Sequence, residues 1–421
     1  MAEQKVMNRW LAVVGAVLIQ LALGAIYAWS VFTPSLIDAG WSKAQTQFVF
    51  SAGLAFFAIV MVWAGRQMPK WGPKKLAMIS GVVLGLGYVL GGLAARGDTP
   101  SPALLILCVG VIGGSGIGLG YVVPIAVGMK WFPDKKGLIT GLAVAGFGFG
   151  AMLWVKLAGA WGNLIATIGL GNTFIIYGIL FFAMVCIGGL WMVNPPEGWR
   201  PEGWTPPPPK QGQVADGVNF EAGEMLRTPQ FYMIFVTFVF SAGAGLMTIG
   251  LMKLFPKEAL QLSGKSAAEA SAIAGTAMAV FFSLANGIGR IAWGTMSDKL
   301  GRKASVAIMC ATQGVFMLLF VKMAGSVGML YLAAVLIGFN FGGNFSLFPT
   351  FTADTYGAKN VGQLYPWVFL AYGVGGIFGP VLGGRLGDLG NFPLAFTICG
   401  ILCLVAAAIA AAVKPPKKAA A

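Results

Sequence analysis

Twelve stretches of about 20 or more mostly apolar residues follow one another along this chain, each long enough for an α-helix to cross bilayer hydrocarbon. They run roughly over 10–34, 46–66, 76–95, 102–129, 137–160, 172–193, 229–253, 268–296, 304–325, 328–350, 361–385 and 391–413. Inside a bilayer every backbone N–H and C=O needs a partner within the protein, which helices supply and open strands do not. The expected fold is an all-α polytopic membrane protein with twelve transmembrane helices. Composition agrees, since 57% of the residues are apolar and 10% charged, against about 25% charged in a soluble domain. The 62 glycines are dispersed without a period of three, which suits close helix approach in a membrane bundle rather than collagen. A secreted disulfide scaffold, a disordered chain and nearly all soluble enzymes are excluded. The first stretch starts too late and runs too long for a cleaved signal peptide.

Charge placement orients the chain. With the N-terminus in the cytoplasm, 19 of the 28 Lys and Arg fall in segments on that side, 8 fall on the other, and Arg290 lies inside the eighth stretch. The bias puts both termini inside. It also accounts for the net charge of +14 without nucleic acid, which is not expected as a partner. One long polar segment, with Pro195-Pro196 and the run Pro206–Pro209, reads as a linker. The expected division is a six-helix bundle over 1–193, a cytoplasmic linker over 194–228, a second six-helix bundle over 229–413, and a cytoplasmic tail over 414–421. The linker's end, 219–227, reads as a short interfacial helix.

The halves repeat. After the second stretch comes Gly65-Arg66-Gln67-Met68-Pro69-Lys70-Trp71-Gly72-Pro73-Lys74-Lys75, and after the eighth comes Gly294-Thr295-Met296-Ser297-Asp298-Lys299-Leu300-Gly301-Arg302-Lys303. Both read as a cationic turn between two helices. A Leu-Ala step opening a Gly-rich stretch follows 77 residues after Gly65, at Leu142, and 76 residues after Gly294, at Leu370. A duplicated six-helix unit of this kind is a transporter signature.

Arg290 is the residue that carries chemistry. Asp298 lies eight residues further on, so Arg290 sits roughly 12 Å inside the cytoplasmic turn. At such depth an unpaired guanidinium costs at least about 2.5–3.5 kcal/mol, so it must face the bundle interior. Its planar fork suits a carboxylate. All 14 carboxylates of the chain lie outside the apolar stretches or at their ends, so the natural counter-charge is an anion from solution. Asn286, one turn earlier, can orient Arg290, and the amide of Gln20 should face the interior. Histidine is absent, and the five cysteines lie in apolar stretches without a CxxC pair. No catalytic residue, metal site or cofactor is expected, and the chain is read as not an enzyme.

The pattern Gly-x-x-x-Asp-x-x-Gly-Arg-Lys at Gly294–Lys303 resembles the signature loop of the major facilitator superfamily. The first copy departs from it, with Pro69 in place of the Asp. The resemblance implies two pseudo-symmetric six-helix bundles and a conformational latch at Asp298 and Arg302, and the first half lacks the matching Asp. Four further stretches resemble the oxalate:formate antiporter family, related to the monocarboxylate transporters. They are Leu23–Phe32, Lys130–Leu138, Leu226–Phe231, and Phe339-Asn340-Phe341-Gly342-Gly343 with Leu347-Phe348-Pro349.

That resemblance implies an anionic carboxylate substrate. It places Tyr27 and Tyr121 at the substrate site, where a phenol can donate to a carboxylate or a 2-hydroxyl. It makes Phe341 and Phe345, four apart on one helix face, an aromatic wall. It also puts Tyr372 where the oxalate carrier has a second basic residue. One cation argues for one carboxylate, because a dicarboxylate would leave a charge unpaired in low dielectric. The expected activity is secondary active transport of a monocarboxylate, lactate- or pyruvate-like, by alternating access with proton symport, in the inner membrane of a prokaryote. The expected partners are that anion, a proton and the lipid bilayer, and the chain is expected to work as a monomer. Animal monocarboxylate transporters carry Asp where this chain has Asn286. Obligatory organic-anion exchange therefore stays open as the alternative, as does a substrate that carries its own proton, or an approach by Asp38, Asp298 or Asp354. A membrane sensor without flux is a further alternative.

Overall fold

The computed structural model describes all residues except 1–5, 98–99, 133–135, 160, 197–198, 204–219, 357–360, 415 and 417–421. The side chains of 69, 129, 136–141, 143, 298, 353 and 361–363 are likewise outside the description. Three expectations fall there: the side chain of Asp298, the run Pro206–Pro209 and most of the tail.

Among the described residues, eleven helices are long and apolar enough to cross a membrane: Arg9–Val31, Lys43–Met68, Pro73–Ala94, Pro102–Gly128, Leu164–Gly189, Pro229–Leu251, Ala267–Ser297, Arg302–Met323, Val327–Tyr356, Leu364–Asp388 and Phe392–Ala412. The helix Lys136–Ala158 lies fifth in order, and its described apolar part is the shorter 144–158. These twelve are called spans one to twelve. Large apolar side chains such as Ile59, Leu86, Leu107, Ile288, Val374 and Val405 stand exposed on them, as lipid-facing surfaces require. The interfacial helix expected near 219–227 is Ala222–Met225, closed by a capping box between Glu221 and Glu224.

Packing repeats between the halves. Spans one and five, two and four, and three and six pack together in the first half. Spans seven and eleven, eight and ten, and nine and twelve do the same in the second. The halves meet along two seams, spans two with eleven and five with eight, which exchange under the same two-fold relation. Small residues permit these crossings. Gly24 of span one lies against the Phe147 backbone, and Gly379 of span eleven lies against that of Gly243.

One expectation about local structure needs correction. The repeated cationic segments are not loops. Helix continues to Trp71 in the first and to Leu300 in the second, and the reversal is made by one glycine each. Gly72 has φ 77° and ψ 155°, and Gly301 has φ 82° and ψ 149°. That backbone region strains any residue with a Cβ. Lys70 and Lys299 occupy the last turns before it, where a cation complements the helix dipole. Helix also covers 164–168, but the backbone at Gly169, φ 80° and ψ 167°, is not helical, so two helices join there and the second opens close to the expected start of span six near 172.

The two ends differ in how the halves are joined. At the end away from the termini, the Asp388 carboxylate accepts from the backbone N–H of Lys43 (2.6 Å) and Ala44 (3.0 Å) at the start of span two, and Lys43 pairs with Glu258 at 2.6 Å. At the end with the termini, Arg302 bonds Ser297 and approaches Asp354 at 3.9 Å, all within the second half. There the described charged contact across the halves is Arg66 over the Trp367 ring, at 5.1 Å.

Candidate functional site

Three spans depart from α-helical winding, and each carries a residue singled out above. Span one tightens into a 3-10 helix over Gly24–Val31, which holds Tyr27. Spans four and eight widen into π-helix over Ile106–Gly113 and Ala277–Phe282, each shortly before Tyr121 or Arg290. Such irregular turns cost hydrogen-bond geometry and recur at functional positions. Spans eight and ten touch backbone to backbone. A Cβ on Gly342 would collide with the Asn286 carbonyl, and one on Gly289 with the Phe339 carbonyl. That contact sets Asn286 and Arg290 against Phe341 and Phe345.

Arg290 is buried, 3% exposed, in the later part of span eight. Its Nε donates to Asn286 Oδ1 at 3.1 Å. Among the described residues neither Nη1 nor Nη2 has a hydrogen-bond partner, and Asn286 Nδ2 has none either. Three buried donors are left without acceptors, and such groups ordinarily find one. The guanidinium carbon lies 4.0 Å from the centroid of the Phe345 ring and 6.0 Å from that of Phe147. A desolvated cation–π contact of this kind is worth about 2 kcal/mol, short of what a buried guanidinium needs. The described ion pairs, Lys43–Glu258 and Arg302–Asp354, lie at the bundle's two ends.

Phenols surround the charge. Tyr27 and Tyr121 lie close enough to feel Arg290 directly, but outside hydrogen-bonding geometry; Tyr365 and Tyr372 feel it as well. Tyr27 Oη and Tyr372 Oη are 2.9 Å apart, a hydrogen bond that joins the two halves. Phe345 forms the wall beneath the guanidinium. Phe341 stands behind it, edge-on to Phe345 at 5.3 Å and to Tyr27 at 5.6 Å, and packs against Gly245.

The structure thus brings together Arg290, Asn286, Tyr27, Tyr121, Phe341, Phe345 and Tyr372. It adds Phe57, Phe147 and Phe369, which sequence reading passed over. Phe147 contacts Tyr27 and Tyr121 edge-on, and Phe57 and Phe369 both contact Tyr121 and Tyr372. Phe147 carried one signal, being a large residue between Gly146 and Gly148; Phe57 and Phe369 carried none that separates them from other core phenylalanines. Gly148 faces Asn286, whose Nδ2 would lie 3.6 Å from a Cβ there. Gln20 is fully buried and donates to the Tyr121 carbonyl at 3.1 Å, so its amide faces inward as expected and ties span one to span four. Arg302 sits at the end of the bundle with the termini, where it bonds Ser297 and approaches Asp354 rather than joining these residues.

Comparison with known proteins bears on this arrangement. A sequence profile describing the Major Facilitator Superfamily matches residues 13–283 and 266–421. The uncharacterized MFS-type transporter YhjX of Escherichia coli (strain K12) is 31% identical over 88% of this chain and 86% of its own length. The oxalate:formate antiporter of Oxalobacter formigenes is 27% identical over 97% and 92%. The apicoplast pyruvate carrier 1 of Toxoplasma gondii is 25% identical over 80% and 68%. Among solved structures, a bacterial homolog of the human lysosomal transporter Spinster, inward-facing and unoccupied, shares the fold at a TM-score of 0.63 and 18% identity, over 95% of both chains.

Proposed function

The chain belongs to the Major Facilitator Superfamily, and on that premise we propose that it carries a small monocarboxylate, lactate- or pyruvate-like, across the inner membrane of a prokaryote by alternating access, together with a proton. The observation behind this reading is the set of buried donors without acceptors, Nη1 and Nη2 of Arg290 and Nδ2 of Asn286. An acceptor-only group completes them, and a carboxylate presents two oxygens to the guanidinium fork. Tyr27, Tyr121 and Tyr372 then offer hydroxyls, while Phe341 and Phe345 exclude water and limit size. Relatives named for oxalate, formate and pyruvate support the substrate class.

The end with the termini is taken as cytoplasmic, on the Lys and Arg distribution. The division at 1–193, 194–228, 229–413 and 414–421 is kept, with Asp298 and Arg302 as a cytoplasmic latch. Neutralising Arg290 with the anion lowers the cost of carrying it through an occluded state, while the halves rock about the site.

One observation favours a second reading. Arg290 is hydrogen-bonded to an amide, not to a titratable acid. The empty carrier then has no proton with which to discharge Arg290, and exchange of one organic anion for another follows.

The test is uptake of labelled L-lactate into proteoliposomes under an inward proton gradient, with no internal anion. Uptake abolished by an uncoupler and by Arg290→Ala supports symport through Arg290. Uptake that requires a preloaded anion means exchange. Binding without flux means a sensor. Full activity in Arg290→Ala refutes the site.

A further inference from the structure

Three lysines converge at the end of the bundle away from the termini, the outer mouth on the reading above. Lys156 comes from span five, in the first half. Lys253 and Lys257 come from the second half, just beyond the end of span seven at Leu251. Lys156 Nζ donates to Thr276 Oγ1 at 3.1 Å, across the seam between the halves, and Lys253 Nζ donates to Ser271 Oγ at 2.9 Å. Both hydroxyls belong to the opening turns of span eight. Gly275 between them leaves room for Lys253, whose Cε would be 3.0 Å from a Cβ there.

Nearby carboxylates are engaged elsewhere. Glu258 pairs with Lys43, Asp388 caps span two, and Glu269 caps its own helix through Ser266. Among the described residues none of the three lysines has a carboxylate partner. Burial, together with the charges of Lys257 and Lys156, pulls the Lys253 ammonium down from its usual range to about 8.

We propose that Lys156, Lys253 and Lys257, with the hydroxyls of Ser271 and Thr276, form a second anion site that takes a small carboxylate at the outer mouth and joins the two halves around it. The proposal rests on the reading of the chain as a carboxylate carrier. Thr276 precedes Arg290 by fourteen residues on span eight, roughly 20 Å along a helix, so the two sites are separate. Closing the outer mouth brings like charges from opposite halves together. An anion between them removes that repulsion, so occupancy favours the closed arrangement.

The sign of the linkage follows. In an open, hydrated mouth Lys253 titrates near its ordinary 10.5; in the closed mouth it titrates near 8. The charged form therefore opposes closure fully below about pH 8. That opposition fades as pH rises from there towards 10.5. A bound carboxylate removes it at neutral pH and raises the Lys253 midpoint.

The test reads Lys253 directly rather than flux. Full-length protein in nanodiscs is labelled with acetic anhydride from about pH 6.5 to about pH 10.5, with and without L-lactate, and each lysine is followed by peptide mass spectrometry. The expected result is a Lys253 midpoint near 8 that L-lactate moves up by about one pH unit. Labelling below the midpoint then slows about tenfold, with no change at Lys74 or Lys75. The shift must persist in Arg290→Ala, which fails transport on the reading above, and must shrink in Lys156→Gln. No shift in the wild type overturns the site. A shift lost in Arg290→Ala overturns it too, because the signal then comes from the central site. An equal shift with chloride overturns the carboxylate assignment.

Discussion

The two halves of this bundle share a scaffold and divide the chemistry unequally. Gly72 and Gly301 make the same one-residue reversal at equivalent places, with φ of 77° and 82°. Span pairs one with five and seven with eleven cross on glycines in both halves. Yet the described buried charge at the centre belongs to the second half alone. Opposite Asn286 the first half offers Gly148, and it brings Tyr27, Tyr121, Phe57 and Phe147 to the centre instead of a charge. Backbone packing follows the duplication because both copies must bury helices in the same way. Side chains at the centre are free of that constraint, so one half supplies the cation and the other the uncharged enclosure.

That asymmetry can be broken most severely at the cation. Arg290→Lys keeps the charge but loses the planar fork; uptake at low substrate concentration is expected to fall about 30-fold, within the range for damaging a buried charge pair. Wild-type uptake in this variant would show that charge alone suffices.

The shared scaffold is tested by glycine pairs. Gly24→Ala and Gly379→Ala each push a methyl into the partner backbone and are expected to destabilise by about 1–3 kcal/mol, the cost of overpacking. Gly65→Ala meets nothing within 4 Å and should leave thermal unfolding in detergent unchanged. A large effect in one half only would sharpen the comparison against scaffold symmetry.

Asn286→Asp places an acid where the amide accepts from Arg290 at 3.1 Å. The neighbouring Arg holds the Asp below its ordinary range, so the ionised Asp occupies Arg290 and uptake should fall about tenfold, with no recovery between about pH 5 and pH 8. Recovery within that window would show that the Asp takes up a proton beside Arg290.

The smallest effect belongs to the bond between the halves. Tyr27→Phe and Tyr372→Phe each remove one end of a 2.9 Å hydrogen bond, worth about 1 kcal/mol. The double variant should cost no more than either single one. Additive losses, measured as changes in KM, would mean that each phenol meets the substrate separately.

How much was legible differs by residue. Arg290 announced itself because an ionisable residue inside an apolar run has few physical excuses. Its alliance with Asn286 followed from helical spacing. Phe57 and Phe369 gave no such sign, since a phenylalanine in an apolar helix looks the same whether it faces lipid, core or cavity. The tightening of span one into a 3-10 helix at Tyr27 was equally hidden; it starts at Gly24, which lies against the Phe147 backbone of another span.

Apolar length and charge placement, read from the sequence alone, determined the spans, the duplication and the buried cation Arg290. These are local quantities, set by what each segment costs in hydrocarbon. The tertiary structure alone decided which aromatic rings enclose Arg290, that Tyr27 meets Tyr372, and that lysines from opposite halves gather around span eight. Such meetings depend on the angle and depth at which helices cross, and those are set by the sum of many small contacts that no single stretch of sequence contains.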